Sequence, residues 1–468
     1  MIKWLMAMAL GTVVVATRPA TATTRAVGGG DDRAAVAAYE VAYSAHSGAI
    51  PAFARKYGLP CSACHTAWPE LNAFGQTFRD NGYQLMNDRD SPIWQNPSYI
   101  PVTFRATPNW HWERSTKQPV DSVPGNAATT APATITLSGF DISGMDLWTV
   151  GTLYKNISFV LLPSADATGA FHFEAMFVRF DNLWNNRWVN FKVGKFELDN
   201  LISEKRFLFL SGNGGVYQSY HFLPAGDAND FGLGDNQIGA ELSGHSQNSY
   251  TRYGLAVLGS SSGNPGLPTS NTYDAYLTLS HAVDAGGLGV ERLGAYAYVG
   301  RRPTYFQTSG GTTQIPGTGT GNKPFYRIGL AGDFFFGDLE FLPFFLHASD
   351  NAYLATGTAA NAALPPGAKN AVWNSGFLEA HYYVSPQMVF TGRYETVRMS
   401  QQADPATPKT LGNTDAYSAG IRWYPIMFSR AGLSWHTEVS AVRMVGSSFA
   451  ATDKMWLTSL FSGFDFDF

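Results

Sequence analysis

From Val102 to the C-terminus, apolar and polar residues alternate with a period of two along one short segment after another. In residues 171–177, aromatic and apolar side chains occupy one face, while His172 and Glu174 occupy the other. This period is typical of a β-strand whose two faces have different surroundings. Sixteen strands are predicted, near residues 102–112, 136–150, 154–163, 171–183, 187–198, 236–245, 249–260, 271–283, 288–301, 323–336, 338–349, 372–384, 387–399, 413–424, 429–444 and 454–468.

The connections between these segments alternate in length. Short turns, such as Gly337 and Ser385-Pro386, lie between long connections, such as 199–235 and 302–322. Bacterial outer-membrane barrels have an even number of strands, with short turns at one end and long loops at the other. The chain also ends with aromatic residues at alternate positions over 464–468, which resembles the signal that barrel-assembly machinery recognises.

The predicted fold is therefore mainly β, with a transmembrane antiparallel β-barrel of about 16 strands over residues 101–468. A content of 48 glycines and only 15% charged residues suits many aromatic-rich strands joined by turns. A soluble β-sandwich or β-helix also shows alternation, but is not expected to combine it with this ending and this rhythm of turns. A net charge of −4 provides no basic surface for nucleic acid.

The N-terminus predicts export. Residues 1–22 read as a signal peptide, with Lys3 before an apolar run and Ala20-Thr21-Ala22 as a small-residue cleavage site. Residues 23–50 are rich in Ala, Gly and Thr and are predicted to form a flexible leader. Residues 51–100 are predicted to form a separate small helical unit before the barrel.

That unit contains the stretch Cys61-Ser62-Ala63-Cys64-His65, with the only two cysteines of the 468 residues. Two thiols three residues apart, followed at once by an imidazole, are the pattern for one covalent haem c. The two sulfurs would form thioethers and His65 would be the proximal iron ligand. No other thiol can complete a zinc site, and neither a lone disulfide nor a thioredoxin-like pair requires the histidine.

Two short helices are predicted beside the motif, one closing at Gly58 and one running from Pro69 to Gly82. Met86 is the predicted distal iron ligand, because it is the nearest downstream thioether in a small-cytochrome arrangement. Other candidates for this position remain open, namely a barrel methionine, His46, His111 and His172.

The combination resembles the fused monohaem cytochrome-porins of the bacterial outer membrane, best known from iron-oxidising bacteria. At the residue level the resemblance rests on 53–58, 71–75 and Asn81-Gly82-Tyr83, while the long leader departs from the simplest pattern. It implies an electron conduit between an extracellular partner, above all Fe(II), and a periplasmic c-type cytochrome or other carrier. The haem segment is expected on the periplasmic side of the outer-membrane lipid or inside the barrel, and the direction of electron flow stays open.

Two other functions stay open at this point. One is a solute porin with a haem plug or redox sensor, and the other is a haem enzyme acting on a small oxidant through an open iron position. An electron-transfer protein is the leading prediction, and whether it acts as an iron oxidase is undecided.

Several polar residues of the barrel are predicted to face the lumen, as solvated wall residues or as groups that guide Fe²⁺ or hold haem propionates. They are Arg105, His111, Glu174, Asp274, Glu379 and His436. The long loop 199–235 also carries His221, Asp227, Asp230 and Asp235 among glycines. Ordinary loop polarity explains that composition, and no metal site is predicted there.

Overall fold

A computed structural model gives the fold for most of the chain. It describes Phe53 and residues 56–85, 101–123, 130–165, 171–206, 208–211, 213–266, 271–304, 306–308, 312–314, 321–360, 362–428 and 431–467. The predicted signal peptide, the leader and Met86 lie outside the described residues.

Sixteen antiparallel strands close into one barrel, in which the first strand pairs with the last. The barrel strands are β1 Val102–Asp121, β2 Thr130–Tyr154, β3 Ile157–Ala165, β4 Phe171–Phe180, β5 Asn190–Phe196, β6 Gln237–His245, β7 Thr251–Gly259, β8 Tyr273–Asp284, β9 Val290–Pro303, β12 Asn322–Phe336, β13 Leu339–Asp350, β14 Ala371–Ser385, β15 Met388–Gln401, β16 Thr414–Phe428, β17 Ala431–Val445 and β18 Lys454–Asp467. A separate hairpin, β10 Phe306–Thr308 and β11 Thr312–Gln314, lies in the connection after β9. The predicted fold class is confirmed.

The turns alternate in length as predicted from β5 onwards, whereas the connection 166–170 between β3 and β4 is shorter than the connection 181–189 between β4 and β5. Short connections such as 155–156 and 386–387 lie at one end of the barrel, and long ones such as 304–321 lie at the other. The predicted long connection 113–135 is wrong in its extent, since β1 and β2 stay paired up to Asp121 opposite Thr130. Backbone pairing continues there although the apolar alternation has ended, because ladder hydrogen bonds do not depend on side-chain polarity.

The barrel wall is apolar on its outer face and largely polar on its inner face. In β8 the outward Tyr273, Leu277 and Leu279 are 74%, 50% and 55% exposed, whereas the inward Asp274 and Ser280 are buried. Hydrocarbon lipid outside a barrel favours this arrangement, and a soluble sandwich reverses it. Among the described residues, no helix has the length and apolar character required to cross a membrane.

Two parts of the chain lie inside the barrel. The first, here called the motif segment, comprises Phe53 and residues 56–85, and it sits at the short-turn end. The second, here called the lumen loop, is the connection 197–236 between β5 and β6. The short helices are α1 Cys61–Cys64 and α2 Ala73–Asp80 in the motif segment, α3 Gln218–His221 in the lumen loop and α4 Ala352–Ala355 after β13. Single 3-10 turns occur at Leu183–Asn185, Glu204–Arg206 and Gly286–Leu288.

The lumen loop packs an apolar core against the inner wall. Tyr217 stacks on Phe377 with ring centroids 4.4 Å apart, and Phe231 lies 4.0 Å from the ring of Tyr298. Leu198 and Leu233, both 1% exposed, belong to the same cluster. The barrel interior is therefore filled at this level, where a barrel of this size has room for an aqueous channel.

Buried wall residues also bind the loop backbone. Glu438 accepts hydrogen bonds from the N–H groups of Leu210 and Ser211, at 2.5 and 2.9 Å. Glu395 accepts one from the N–H of Ser219 at 2.5 Å, and Arg393 donates to the carbonyl oxygen of Val216 at 2.9 Å. Because these residues belong to strands β15 and β17, the loop crosses the lumen to the far wall.

This packing changes the interpretation of the predicted lumen residues. Asp274, Glu379 and His436 face inward as expected, but they are 1%, 0% and 0% exposed rather than solvated. Asp274 instead pairs with Arg302 at 2.7 Å, and Glu379 accepts a hydrogen bond from His381 at 2.7 Å. The alternating pattern predicts the direction of a side chain, whereas the folded loop decides whether water reaches it.

Candidate functional site

The Cys-x-x-Cys-His motif forms a single helical turn inside the barrel mouth. Pro60 is extended and begins α1, and the backbone N–H of His65 donates to the carbonyl oxygen of Cys61 at 2.9 Å. Residues three apart on a helix share a face, so the two sulfurs point the same way. Both cysteines are free thiols, and both border one cavity together with His65.

A backbone hydrogen bond orients the ring of His65, which is 8% exposed. Its Nδ1 lies 3.0 Å from the carbonyl oxygen of Glu70. A carbonyl oxygen only accepts, so Nδ1 carries the proton and Nε2 carries the lone pair. Metal-binding imidazoles are typically oriented in this way by the nitrogen that does not bind the metal.

Glu70 links the motif to the barrel wall. Its carboxylate accepts a hydrogen bond from the hydroxyl of Tyr383 at 2.8 Å and lies 3.1 Å from Nδ1 of His381. Glu340 reaches the same nitrogen at 2.9 Å. The residue that orients His65 is thus itself held by β14, and no sequence pattern marks it in advance.

Helix α2 packs directly against the motif backbone. The Asn72 side chain accepts from the N–H of Gly75 at 2.9 Å and donates to the carbonyl oxygens of Ser62 and Ala63 at 3.2 and 3.1 Å. A Cβ at Gly75 would lie 2.0 Å from the carbonyl oxygen of Cys64. Only glycine permits this contact, which gives the stretch 71–75 a physical role.

Aromatic side chains of the motif segment line the cavity. Phe53 stacks on Tyr83 with centroids 5.5 Å apart and meets the edge of Phe78 at 5.1 Å. The guanidinium of Arg179, from the barrel, lies 5.6 Å from the Tyr83 ring. These rings pack on one another at one side of the cavity, and Arg179 extends the contact to the barrel wall.

The cavity has a volume of about 450 Å³ and lies between the motif segment and strands β1–β7. Its apolar wall is formed by Trp148, Val150, Val160, Leu162, Ala175 and Phe177. Its cationic side chains are Arg79, Arg105, Arg179, Lys192, Lys205 and Arg252. Each of these cations is paired with a carboxylate, for example Lys192 with Glu241 at 2.7 Å and Lys205 with Glu174 at 2.8 Å. The apolar wall beside the two thiols suits a porphyrin plate, so these residues fit haem c.

The thiols do not have the character of a reactive redox pair. Burial raises the pKa of Cys61 and raises the pKa of Cys64 to about 12. Dithiol oxidoreductases and thiolate metal sites instead lower the pKa of their cysteines with nearby positive charge. A thioredoxin-like pair and a thiolate metal site are therefore disfavoured.

The residues that the sequence predicted to be functional differ in whether they border this cavity. Arg105 and Glu174 border it, whereas Asp274, Glu379 and His436 do not. His111 and His172, both described, do not border it either. Met86 lies outside the described residues, and its assignment stays a prediction.

Buried ion pairs join α2 to the barrel and the lumen loop. Arg252 donates to Asp80 at 2.8 Å and to both carboxylate oxygens of Asp199 at 2.8 Å. Arg79 reaches Asp199 at 2.8 Å. Burial alone would raise the pKa of Asp80, but the guanidinium groups of Arg252 and Arg79 lower it to about 2.

This lowered pKa predicts how docking of the motif segment depends on pH. The contribution of Asp80 is complete above its ordinary pKa of 3.8 and disappears as the pH falls towards 2. From the size of the shift, the Asp80→Asn variant should lose about 2 kcal/mol of docking free energy at pH 7. Protease protection of residues 56–85 in detergent, with circular dichroism of the barrel as the control, measures it. Unchanged protection of the variant at pH 7 would contradict this prediction.

Comparisons with known proteins concern the barrel. No protein-family model matches the sequence, and no curated protein matches it. The anion-selective porin from Comamonas acidovorans is similar at 11% identity and a TM-score of 0.49, over 78% of this chain and 99% of that one. The outer membrane channel DcaP of Acinetobacter baumannii is similar at 10% identity and a TM-score of 0.45, over 78% and 96%. These two proteins resemble the chain in the fold of the barrel.

Proposed function

We propose that this chain is an electron conduit of the bacterial outer membrane, passing electrons between extracellular Fe(II) and a periplasmic c-type cytochrome or other carrier. One observation carries the proposal: a Cys-x-x-Cys-His motif borders a cavity inside the mouth of a closed barrel. A covalent haem c held by Cys61, Cys64 and His65 would supply a one-electron centre there. The apolar outer face of the barrel supports the membrane location.

The two ends of the barrel suit different partners. Short turns of outer-membrane barrels face the periplasm, so the motif segment would be open to a periplasmic carrier. An extracellular donor approaches from the long-loop end. The hydrocarbon band is about 25 Å tall, so a centre at one mouth cannot contact both sides at once. Because the lumen loop fills the barrel between the two ends, Fe²⁺ on the outer side would pass its electron across this packing and would not diffuse to the motif. A small ion can approach the packed residues more closely than a folded protein can.

The residues around the motif suit it for binding a haem. The carbonyl oxygen of Glu70 keeps Nε2 of His65 as the lone-pair nitrogen. The apolar wall beside the motif, which includes Val150 and Leu162, would hold the porphyrin ring. The lumen loop separates the cavity from the long-loop end, which disfavours the alternative of an open solute porin.

Replacing His65 tests the proposal. Proteoliposomes with purified protein, entrapped oxidised cytochrome c and external Fe²⁺ should reduce the cytochrome, and His65→Ala should lower the rate to that of protein-free vesicles. The matched control is His111→Ala, which removes an inward imidazole that does not border the cavity. Full activity of an inserted His65→Ala barrel would refute the conduit.

A further inference from the structure

Three side chains of metal-binding types meet where the motif segment touches the barrel wall. Nδ1 of His381 lies 2.9 Å from Oε2 of Glu340 and 3.1 Å from Oε2 of Glu70. One ligand atom from each of the three residues lies within 4.8 Å of the other two. Atoms bound to one transition-metal ion at about 2.0–2.2 Å are separated from one another by about 3 Å, so these positions suit a shared ion. We call these three residues the wall cluster.

The imidazole of His381 is oriented for this role. Its Nε2 lies 2.7 Å from Oε1 of Glu379, and a carboxylate oxygen that accepts there requires a proton on Nε2. In the neutral ring, Nδ1 is then the lone-pair nitrogen, and it faces both Glu70 and Glu340. A carboxylate on the other nitrogen is a common second contact of a metal-binding histidine, because it fixes the tautomer and the ring orientation. Glu379 is itself held by Arg393 at 3.3 Å.

The charges of these groups favour an ion over a second proton on the ring. Glu340 and His381 are 2% and 1% exposed, and the side chain of Glu70 is 14% exposed. Arg393 balances Glu379, which leaves the carboxylates of Glu70 and Glu340. A protonated ring would supply one positive charge for these two, whereas a divalent ion supplies both. Buried charges are paired or bound to metal, because an unbalanced charge loses its hydration without compensation.

Two neighbouring side chains do not remove this imbalance. The hydroxyl of Tyr383 lies 2.8 Å from Oε2 of Glu70 and also contacts Glu340, but its single proton can serve only one of them. Asp333 of β12 interacts with Glu340 as well, and its charge is offset by Arg292. With a neutral ring, the hydrogen bonds of the protein therefore leave one of the two carboxylates without a donor.

We infer that Glu70, Glu340 and His381 bind a divalent transition-metal ion that joins the motif segment to strands β13 and β14. One imidazole and two carboxylates suit Zn²⁺, Mn²⁺ or Fe²⁺, whereas Ca²⁺ and Mg²⁺ prefer oxygen ligands alone. The carbonyl oxygen of Glu70 orients His65, so the ion would hold the motif segment in place and steady that ring. The site uses neither the cysteines nor His65, and it does not rest on the proposed function.

Metal binding to the purified full-length protein in detergent tests the inference. After dialysis against EDTA and then against metal-free buffer, the protein is titrated with Mn²⁺, and electron paramagnetic resonance measures the free ion. We expect one Mn²⁺ per chain, which added Zn²⁺ displaces. Glu379→Gln should weaken binding by about 10–100-fold, because it removes the orienting carboxylate. Glu340→Gln and His381→Ala should each weaken it further, because they remove a ligand.

The matched control is Glu438→Gln, which changes an inner-wall carboxylate that is also 2% exposed but lies outside the wall cluster. This variant should keep the wild-type affinity for Mn²⁺. A second readout separates an ion site from a purely structural hydrogen-bond network. Mn²⁺ should increase the protease protection of residues 56–85 in the wild type and leave it unchanged in Glu340→Gln.

Wild-type protein that binds neither Mn²⁺ nor Zn²⁺ at one ion per chain would overturn the inference, and so would a Glu340→Gln variant with wild-type affinity. Either result would leave covalent haem and the reduction of entrapped cytochrome c as they are. Wild-type protein without covalent haem would instead overturn the proposed function and leave the ion site intact. The wild-type titration decides the matter even if a variant does not fold.

Discussion

Replacement of residues 208–233 by a short Gly-Ser linker is expected to open the barrel to ions. These residues carry the aromatic side chains of Tyr217, Tyr220 and Phe231, which fill the lumen against the inner wall. Without them, a sixteen-strand barrel has the interior of an aqueous channel. Conductance in planar bilayers should rise well above that of the wild type. It should reach a porin-like level only when residues 51–85 are removed as well, because the motif segment covers the other mouth.

A control separates this effect from general damage to the barrel. The exposed stretch 362–369 lies in another long connection, and replacing it by the same linker should leave the conductance unchanged. A wild-type barrel that already conducts as well as the double deletion would contradict the closed lumen. That result would favour the solute-porin alternative.

Replacement of Gly75 by alanine is expected to abolish stoichiometric haem attachment. The new Cβ would lie 2.0 Å from the carbonyl oxygen of Cys64, so α2 or the motif turn must move. Overpacking of this kind typically costs about 1–3 kcal/mol. A segment of this length has little core of its own with which to absorb that loss. Intact-mass measurement of the purified variant reports the bound haem.

The barrel provides the matched control for this substitution. A Cβ added at Gly139 in β2 would meet no other side chain or strand atom within 4 Å, and Gly139→Ala should retain full haem content. Both variants should remain inserted and heat-resistant, since neither changes the strand ladder. Full haem occupancy in Gly75→Ala would show that the close approach of α2 to Cys64 is not required.

Much of the architecture could be predicted from local patterns. Period-two alternation predicted the strands because each side chain of a strand has a fixed direction, whatever it later contacts. It failed over 113–121, where pairing continues through residues without apolar alternation. Asn72 also carries a local signal, since a side-chain cap before an apolar helix is typical of a helix start.

The filled lumen could not be predicted in this way. Glu438 and Glu395 have the same alternating pattern as residues that face water, yet they bind the backbone of the lumen loop. Whether the inner wall is wet depends on where a connection of about forty residues folds, and neither its composition nor its glycines determine that path. The ion pairs of Asp80 with Arg252 depend on the same long-range contacts.

The sequence by itself determined a barrel of alternating strands and a motif of two thiols and an imidazole, because both are encoded by spacing along a short stretch of chain. The tertiary structure alone decided that Glu70 orients His65, that the lumen loop fills the barrel and that Glu340 and His381 meet Glu70 beside the motif. The physical reason is that such a site is formed by side chains from distant strands. Their meeting is set by barrel closure and by the packing of the two inserted segments.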